Sequence, residues 1–141
     1  NVNAVGGYGV YLKYIVNGEL IHELELKGGE MGTTNNKMEL QGAIQGLKAI
    51  HNKDLETHMY IDSQYVKNGI EIWINNWKRN GWKTANKKDV KNKELWQELD
   101  LEYNKFTNLT LHWVKGHNNN EGNERVDTLA NEYMDYLEEN L

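Results

Sequence analysis

The chain has 141 residues, no cysteine and a formal net charge of −5. This length suits one domain with a sizeable hydrophobic core, and the lack of cysteine excludes disulfides and thiolate metal sites. The mean hydropathy of −0.83 is typical of a globular protein with a polar surface. No apolar run is long enough to span a bilayer and no secretion leader is visible. We therefore expect a cytoplasmic monomer without a membrane partner.

The charge is unevenly distributed along the chain. Between Lys78 and Lys93 lie seven basic residues and one acid, Asp89, so this segment carries +6 and the remainder −11. Four of the five tryptophans lie within or beside it: Trp73, Trp77, Trp82 and Trp96. Lysines that pair with phosphates and aromatic rings that pack against sugars or bases favour a nucleic-acid partner. The alternative is a small tryptophan core with lysines as its solvated face.

The first third of the chain predicts a β-hairpin. Residues 1–9 are typical of a turn around a glycine pair, and Tyr8–Val16 is rich in β-forming residues. Asn17-Gly18 is a strong hairpin-turn signal. Glu19–Lys27 then alternates as a strand does, and a second glycine pair, Gly28-Gly29, is predicted to end it.

The rest of the chain predicts helices and strands in alternation. In order these are a helix from about Asn36 to Asn52, a strand at Thr57–Ile61, helical pieces from Ser63 to about Trp77, a basic loop, a helix from about Lys91 to Tyr103, a strand at Leu109–Val114 and a helix from about Glu121 to Glu138. No repeat or linker divides residues 1–141, so we expect a single domain. The order predicts an α/β fold with a mixed central sheet flanked by helices.

Three acids from separate elements are candidates for a metal site. Glu39 lies in the first predicted turn of a helix that Thr34 or Asn35 can cap. Asp62 closes a short strand, and Asp127 lies beside the apolar stripe of the last helix. Simpler interpretations are helix-end electrostatics for Glu39, a helix cap for Asp62 and a solvated flank for Asp127.

Carboxylates that cluster repel one another and are stabilised by a cation among them. Hard oxygen ligands without cysteine favour Mg²⁺ or Mn²⁺ over zinc. Two such ions, roughly 4 Å apart, can clamp the attacking water and the leaving oxygen of a phosphodiester. His117, in a polar loop after Gly116, is either a proton carrier near neutral pH or an ordinary surface histidine.

Five stretches carry a family resemblance. They are Thr33–Leu40 (TTNNKMEL), Asp62–Val66 (DSQYV), Asn76–Trp96 (NWKRNGWKTANKKDVKNKELW), Trp113–His117 (WVKGH) and Asn123–Ala130 (NERVDTLA). In order and spacing they resemble the successive motifs of bacterial-type ribonuclease H, type 1, over nearly the whole chain. The resemblance implies a ribonuclease H-like fold with a five-stranded mixed sheet. It also implies hydrolysis of the RNA strand of an RNA–DNA hybrid with two Mg²⁺ ions.

The resemblance further implies roles for individual residues. Glu39, Asp62 and Asp127 match three of the family's four metal-binding carboxylates, and His117 matches a loop histidine that assists proton movement or product release. The implied substrate contacts are Asn35, Asn36 and Gln64 in the minor groove of the hybrid, Thr34 and Asn76 at a DNA-strand phosphate, and Trp73, Trp77, Lys78, Trp82 and Lys83 along the DNA-side channel and basic protrusion. The minor groove displays the 2′-hydroxyls that distinguish RNA from DNA.

The family's fourth carboxylate lies on a first strand that has no counterpart in this chain. We expect a longer gene product in which that strand precedes Asn1, since its loss leaves a gap and two open edges in the sheet. Exchange of the strand with another copy is an alternative. Without the fourth acid, the 141-residue form is expected to bind hybrids with impaired cleavage. A further alternative is an acidic-surfaced domain whose basic patch binds an acidic protein.

Overall fold

A computed structural model describes residues 4–114 and 121–140. The elements are β1 (Val5–Val16), β2 (Glu19–Met31), α1 (Asn35–Ala49), β3 (Thr57–Ile61), α2 (Gln64–Asn68), a π-helical segment (Gly69–Trp73), α3 (Ile74–Arg79), α4 (Lys93–Tyr103), β4 (Leu109–Trp113) and α5 (Glu121–Glu139). The described residues fall into two compact units. The first unit comprises residues 4–49 and 121–140, and the second unit comprises residues 50–114.

β1 and β2 form the predicted antiparallel hairpin. Its turn residues, Asn17 and Gly18, have φ angles of 51° and 80°. Both lie in the left-handed region that the favoured two-residue hairpin turn requires, and Asn-Gly is the residue pair that tolerates it best. The turn chemistry therefore fixes where the two strands reverse.

Both glycine pairs lie inside the strands, which corrects their prediction as a bend and a strand end. Gly6 and Gly7 pair with Glu30 and Gly29 in the hairpin register. A Cβ placed on Gly7 would stand 2.5 Å from the carbonyl oxygen of Ala130. Glycine is needed at this position because a helix backbone approaches the strand closely, not because the chain turns.

The first unit places β1 between α1 and α5. Side chains alternate across a strand, and the neighbours of β1 follow that alternation. A Cβ on Gly9 would stand 2.8 Å from Leu129 Cβ of α5, whereas Val10 on the opposite face lies against Gly46 of α1. Val10, Leu40, Ile44, Leu47 and Leu129 are buried.

The second unit contains the parallel strand pair β3–β4, with Thr57 opposite Leu109 and Ile61 opposite Trp113. The helical stretch after β3 consists of α2, the π-helical segment and α3. Gly69 lies directly against the indole ring of Trp96, and any Cβ there would overlap that ring. The buried apolar side chains of this unit are Val66, Ile74, Val90, Trp96 and Leu99.

Most predicted elements are present within a few residues of their expected bounds. β3 matches its prediction, β4 ends one residue earlier and α5 ends one residue later than expected. α1 ends at Ala49 rather than Asn52, and α4 begins at Lys93 rather than Lys91. The described strands form two two-stranded sheets, one antiparallel and one parallel. This confirms the α/β class, whereas a single five-stranded mixed sheet stays a prediction. Within the described ranges, no helix combines the length and apolarity needed to cross a membrane.

Candidate active site and nucleic-acid interface

Glu39 lies one residue further into its helix than the sequence predicts, because α1 begins at Asn35 rather than at about Asn36. Thr34 is the residue before the helix, and its hydroxyl accepts a hydrogen bond of 3.2 Å from the Lys37 backbone N–H. The helix thus begins at Asn35, and Glu39 is its fifth residue rather than a member of the first turn. The simple helix-end explanation of Glu39 loses its basis, because the dipole effect fades within the first turn. Glu39 is half-buried.

The same helix start exposes two amides. Asn35 and Asn36 are the first two residues of α1, and both side chains are exposed. Thr34 is also exposed. The structure therefore brings three of the predicted substrate-binding residues together at one helix end.

Asp62 directly follows β3, at the carboxyl end of that strand. The cap of the next helix is Ser63, whose Oγ accepts a hydrogen bond of 3.1 Å from the Val66 N–H. The interpretation of Asp62 as a helix cap is therefore wrong. Asp62 is half-buried, and Gln64, the first residue of α2, is exposed. In α/β folds, this end of a strand is where ligands bind.

Asp127 is the seventh residue of α5 and is exposed. Two residues before it on α5, the Arg125 guanidinium pairs with Glu23 at 3.4 Å and Glu25 at 3.5 Å on β2. These ion pairs and the buried Leu129 hold the helix against the hairpin. His117 lies outside the described residues, so its predicted role stays a prediction.

A metal site formed by Glu39, Asp62 and Asp127 also stays a prediction. Among residues 4–114 and 121–140, no group of three or more histidine, aspartate or glutamate side chains is arranged to hold a metal ion. Glu39 and Asp127 belong to the first unit and Asp62 to the second. The chemistry of the three donors does fit a hard cation, because carboxylate oxygens are the ligands that Mg²⁺ and Mn²⁺ prefer.

Four tryptophans and Tyr65 form an aromatic cluster in the second unit. Trp96 is fully buried, whereas Trp73, Trp77 and Trp82 are half-buried. Trp77 contacts both Trp96 and Trp82, at ring-centroid distances of 5.5 and 5.9 Å. The two interpretations of the tryptophans are therefore compatible, since one ring is core and three retain accessible edges or faces.

The sequence did not single out Tyr65, which organises this cluster. Its hydroxyl accepts hydrogen bonds from Trp96 Nε1 at 3.1 Å and from Asn92 Nδ2 at 3.0 Å. Its ring contacts Trp73 and Trp96 at 5.6 and 5.1 Å. A buried indole N–H needs an acceptor, and the only signal in the sequence was an aromatic residue next to Gln64 in the DSQYV stretch.

Acidic side chains neutralise part of the basic segment. Lys78 Nζ lies 2.9 Å from Asp100 of α4, and Lys83 Nζ lies 2.5 Å from Asp89. The hydrogen bond from Lys83, together with the charge of Lys93, holds the pKa of Asp89 below its ordinary value. All these partners are at least partly exposed. Such partly exposed ion pairs contribute little to stability.

The Lys83–Asp89 pair closes a structured loop. A β-bridge joins the two residues, and the Val90 N–H donates to the Trp82 carbonyl at 3.2 Å. Val90 is buried. Trp82 and Lys87 have φ angles of 63°. The four lysines between α3 and α4 are thus carried on a loop with a defined backbone.

Comparison with known proteins identifies the family. The RNase H family profile matches residues 2–135. The chain belongs to the ribonuclease H family. It is 50% identical over 133 residues to the ribonuclease H of Ruthia magnifica subsp. Calyptogena magnifica, covering 94% of this chain and 87% of that one. It is 54% identical over 132 residues to the ribonuclease H of Hydrogenovibrio crunogenus, covering 94% and 86%.

Solved structures confirm the ribonuclease H-like fold. LC9-RNase H1, described as a type 1 RNase H with the type 2 active-site motif, superposes with a TM-score of 0.79 at 28% identity over 91% of this chain. The present chain spans less than two thirds of that one, 62%. A foamy viral protease-reverse transcriptase in complex with an RNA/DNA hybrid gives a TM-score of 0.69 at 15% identity, over 94% of this chain and 20% of that one. At that identity the likeness shows the fold alone.

Proposed function

We propose that this protein is an endonuclease that hydrolyses the RNA strand of RNA–DNA hybrids. The observation that carries the proposal is the ribonuclease H family match over residues 2–135, with relatives named ribonuclease H at 50 and 54% identity. The tryptophan-lined basic segment supports a nucleic-acid substrate. The lack of cysteine suits a reducing compartment such as the cytoplasm.

Three carboxylates, Glu39, Asp62 and Asp127, would hold Mg²⁺, with Mn²⁺ as a substitute. Two bound Mg²⁺ ions would stabilise the charge on the attacking and leaving oxygens of the phosphodiester. Support comes from the donor chemistry, from the place of Asp62 after β3 and from the half-burial of Glu39. His117 would take or deliver the proton, since imidazole titrates near neutral pH.

The exposed amides at two helix starts would read the minor groove. Asn35, Asn36 and Gln64 each present a donor and an acceptor. A 2′-hydroxyl also donates and accepts, so such contacts distinguish the RNA strand from the DNA strand. Thr34, next to these asparagines, and Asn76 on α3 would bind a phosphate of the DNA strand, which places that strand without reading its sequence.

The aromatic cluster and the basic segment would bind the DNA strand at additional positions. Trp73, Trp77 and Trp82 keep accessible surface for packing against sugars, and Lys78 and Lys83 would exchange Asp100 and Asp89 for phosphates. This exchange is inexpensive because both ion pairs are partly exposed. The contacts are independent of base sequence, so we expect hybrid recognition with little sequence preference.

Cleavage of end-labelled substrates tests this proposal. The protein should cut the RNA strand of a hybrid in Mg²⁺, leaving 5′-phosphate ends, and should leave duplex DNA and duplex RNA of the same sequence uncut. A protein that binds the hybrid tightly without turnover in Mg²⁺ or Mn²⁺ would instead be the second candidate, a hybrid-binding module.

A further inference from the structure

Two histidines face each other on the surface of the β3–β4 strand pair. His58 Nδ1 lies 2.8 Å from His112 Nε2. His112 is opposite Tyr60 in the parallel register, two residues beyond His58 along β3. Residues two apart point to the same face of a sheet, so the strand pairing itself brings the imidazoles together. The side chain of His58 is 41% exposed.

Neighbouring side chains orient both rings. Glu56 Oε2 lies 2.7 Å from His58 Nε2. A carboxylate only accepts hydrogen bonds, so the proton of neutral His58 resides on Nε2 and the lone pair of Nδ1 is directed towards His112. The ring of Tyr60 stacks on His112 at 4.5 Å and 13°. Metal-binding histidines commonly donate their second ring N–H to a carboxylate. Glu56 and His58 have this arrangement, with the His112 nitrogen on the other side of His58.

We propose that His58 and His112 chelate one divalent transition-metal ion, of the class of Zn²⁺, Ni²⁺ or Cu²⁺, with water completing the coordination. Imidazole nitrogens suit these ions, whereas Mg²⁺ prefers oxygen. Two nitrogens bound at about 2.1 Å and at right angles are about 3.0 Å apart. The observed spacing of 2.8 Å is that of a hydrogen bond and is close to this value. On binding, the proton of His112 would move from Nε2 to Nδ1, and both rings would turn so that their lone pairs meet at the ion.

The ion would link β3 to β4 within the second unit. It would be distinct from the proposed Mg²⁺ site, since its ligands are imidazole nitrogens, one within β3 and one within β4, whereas Asp62 offers an oxygen beyond the end of β3. Glu56 would act through His58 by fixing its tautomer and raising its basicity, without touching the ion. Because only the folded strand pair presents both nitrogens, the ion would stabilise the folded state by mass action.

Titration of the purified protein with Zn²⁺, Ni²⁺ and Cu²⁺, in excess Mg²⁺ to occupy carboxylates, tests the site. Calorimetry should show one tightly bound ion per chain, and the melting temperature should rise with its concentration. His58→Ala and His112→Ala should each weaken binding by at least about tenfold, and Glu56→Gln by about tenfold. The matched controls His22→Ala and His51→Ala, at two other exposed histidines, should bind as the wild type does.

Binding that survives both His58→Ala and His112→Ala, or a melting temperature that does not respond to any of the three ions, would overturn the proposal. Circular dichroism in EDTA shows whether each variant folds. If one does not, Cu²⁺ line broadening in the NMR spectrum of the wild type decides the question. Broadening centred on Met59 and Leu111 supports the site, and broadening centred elsewhere contradicts it.

Discussion

Thr34 closes the N-terminus of α1 with its side chain. Its Oγ accepts from the Lys37 N–H, and its carbonyl accepts from the Met38 N–H at 3.1 Å. We expect Thr34→Ala to lower the free energy of unfolding by about 1 kcal/mol, the usual contribution of such a cap. Urea denaturation measures this loss. Thr34→Ser keeps the acceptor and should unfold within a few tenths of a kcal/mol of the wild type. Equal destabilisation by both variants would show that the hydroxyl has no capping role.

Tyr11 and Glu23 form a cross-strand pair whose ionisation is shifted. The hydrogen bond to Glu23 raises the pKa of Tyr11 above 10.0, and the same bond, with Arg125 nearby, lowers the pKa of Glu23. The stabilisation from Tyr11 is fully present below pH 10.0 and is lost as the pH rises through the folded-state pKa.

NMR titration of the Tyr11 ring measures this shift. We expect Glu23→Gln to bring the pKa of Tyr11 back towards its ordinary value, because a neutral amide favours the phenol less than a carboxylate does. A Tyr11 pKa that does not change in Glu23→Gln would rule out the hydrogen bond as its cause.

Single-residue predictions from the sequence were right where the chemistry is local. Asn17-Gly18 predicted its turn, and Thr34 was one of two proposed caps of α1. Asp62 failed as a cap because the adjacent Ser63 competes for the same N–H groups. The proximity of His58 and His112 could not be predicted from either strand alone, since it depends on pairing β3 with β4 across 54 residues. A register alignment of the two predicted strands was the available signal.

At the scale of elements, the contact of β1 with α5 depends on glycine. A Cβ on Gly7 would stand 2.5 Å from the Ala130 oxygen and 2.9 Å from Met134 Cγ. We expect Gly7→Ala to lower the free energy of unfolding by about 1 to 3 kcal/mol, the cost typical of an overpacked core. The measurement is again urea denaturation.

Gly42→Ala is the matched control for Gly7→Ala. Its Cβ would stand 3.4 Å from Tyr8 Cβ, an ordinary contact, and it lies in the interior of α1. Alanine favours a helix over glycine by up to about 1 kcal/mol, so this variant should be as stable as the wild type or more so. If Gly7→Ala also left the free energy of unfolding unchanged, α5 could not pack as closely on β1 as described.

Elements with a clear hydrophobic period could be predicted from the sequence, whereas the structural role of their glycines could not. The alternation in β2 and the helical spacing in α1 and α5 identified those elements within a few residues. A glycine pair in the sequence is compatible with a turn and with a strand under a helix. The distinction depends on what packs above it, which is tertiary information. The π-helical segment had no signal of its own, although Gly69 lies under Trp96 for the same reason of space.

For the whole molecule, charge segregation predicts salt-dependent hybrid binding. Lys87 and Lys88 are exposed residues on the basic loop. We expect their joint replacement by alanine to weaken hybrid binding and to reduce the slope of log K against log salt by about 1 to 2, one unit for each lost phosphate contact. Fluorescence anisotropy over a salt series measures both quantities. Lys13→Ala, on the hairpin, removes a positive charge outside the loop and should leave the slope unchanged.

The fold class and family could be predicted from the sequence because five motifs in order constrain nearly the whole chain. The site was predictable only as a set of residues. Glu39, Asp62 and Asp127 come from α1, from the end of β3 and from α5, and the distances among them depend on tertiary packing. Periodicity and caps describe one element at a time, so they cannot establish convergence between elements.

Cleavage of the RNA strand by this protein should depend on its carboxylates. The most direct test is the single-turnover rate of the wild-type protein on a labelled hybrid in Mg²⁺, compared with Asp62→Asn and with Asp54→Asn as an exposed control. We predict that Asp62→Asn lowers the rate by at least about 100-fold with hybrid binding and thermal unfolding preserved, since a two-metal site contributes several kcal/mol to the transition state. Asp54→Asn should cleave normally. Equal rates for Asp62→Asn and the wild type would contradict the account.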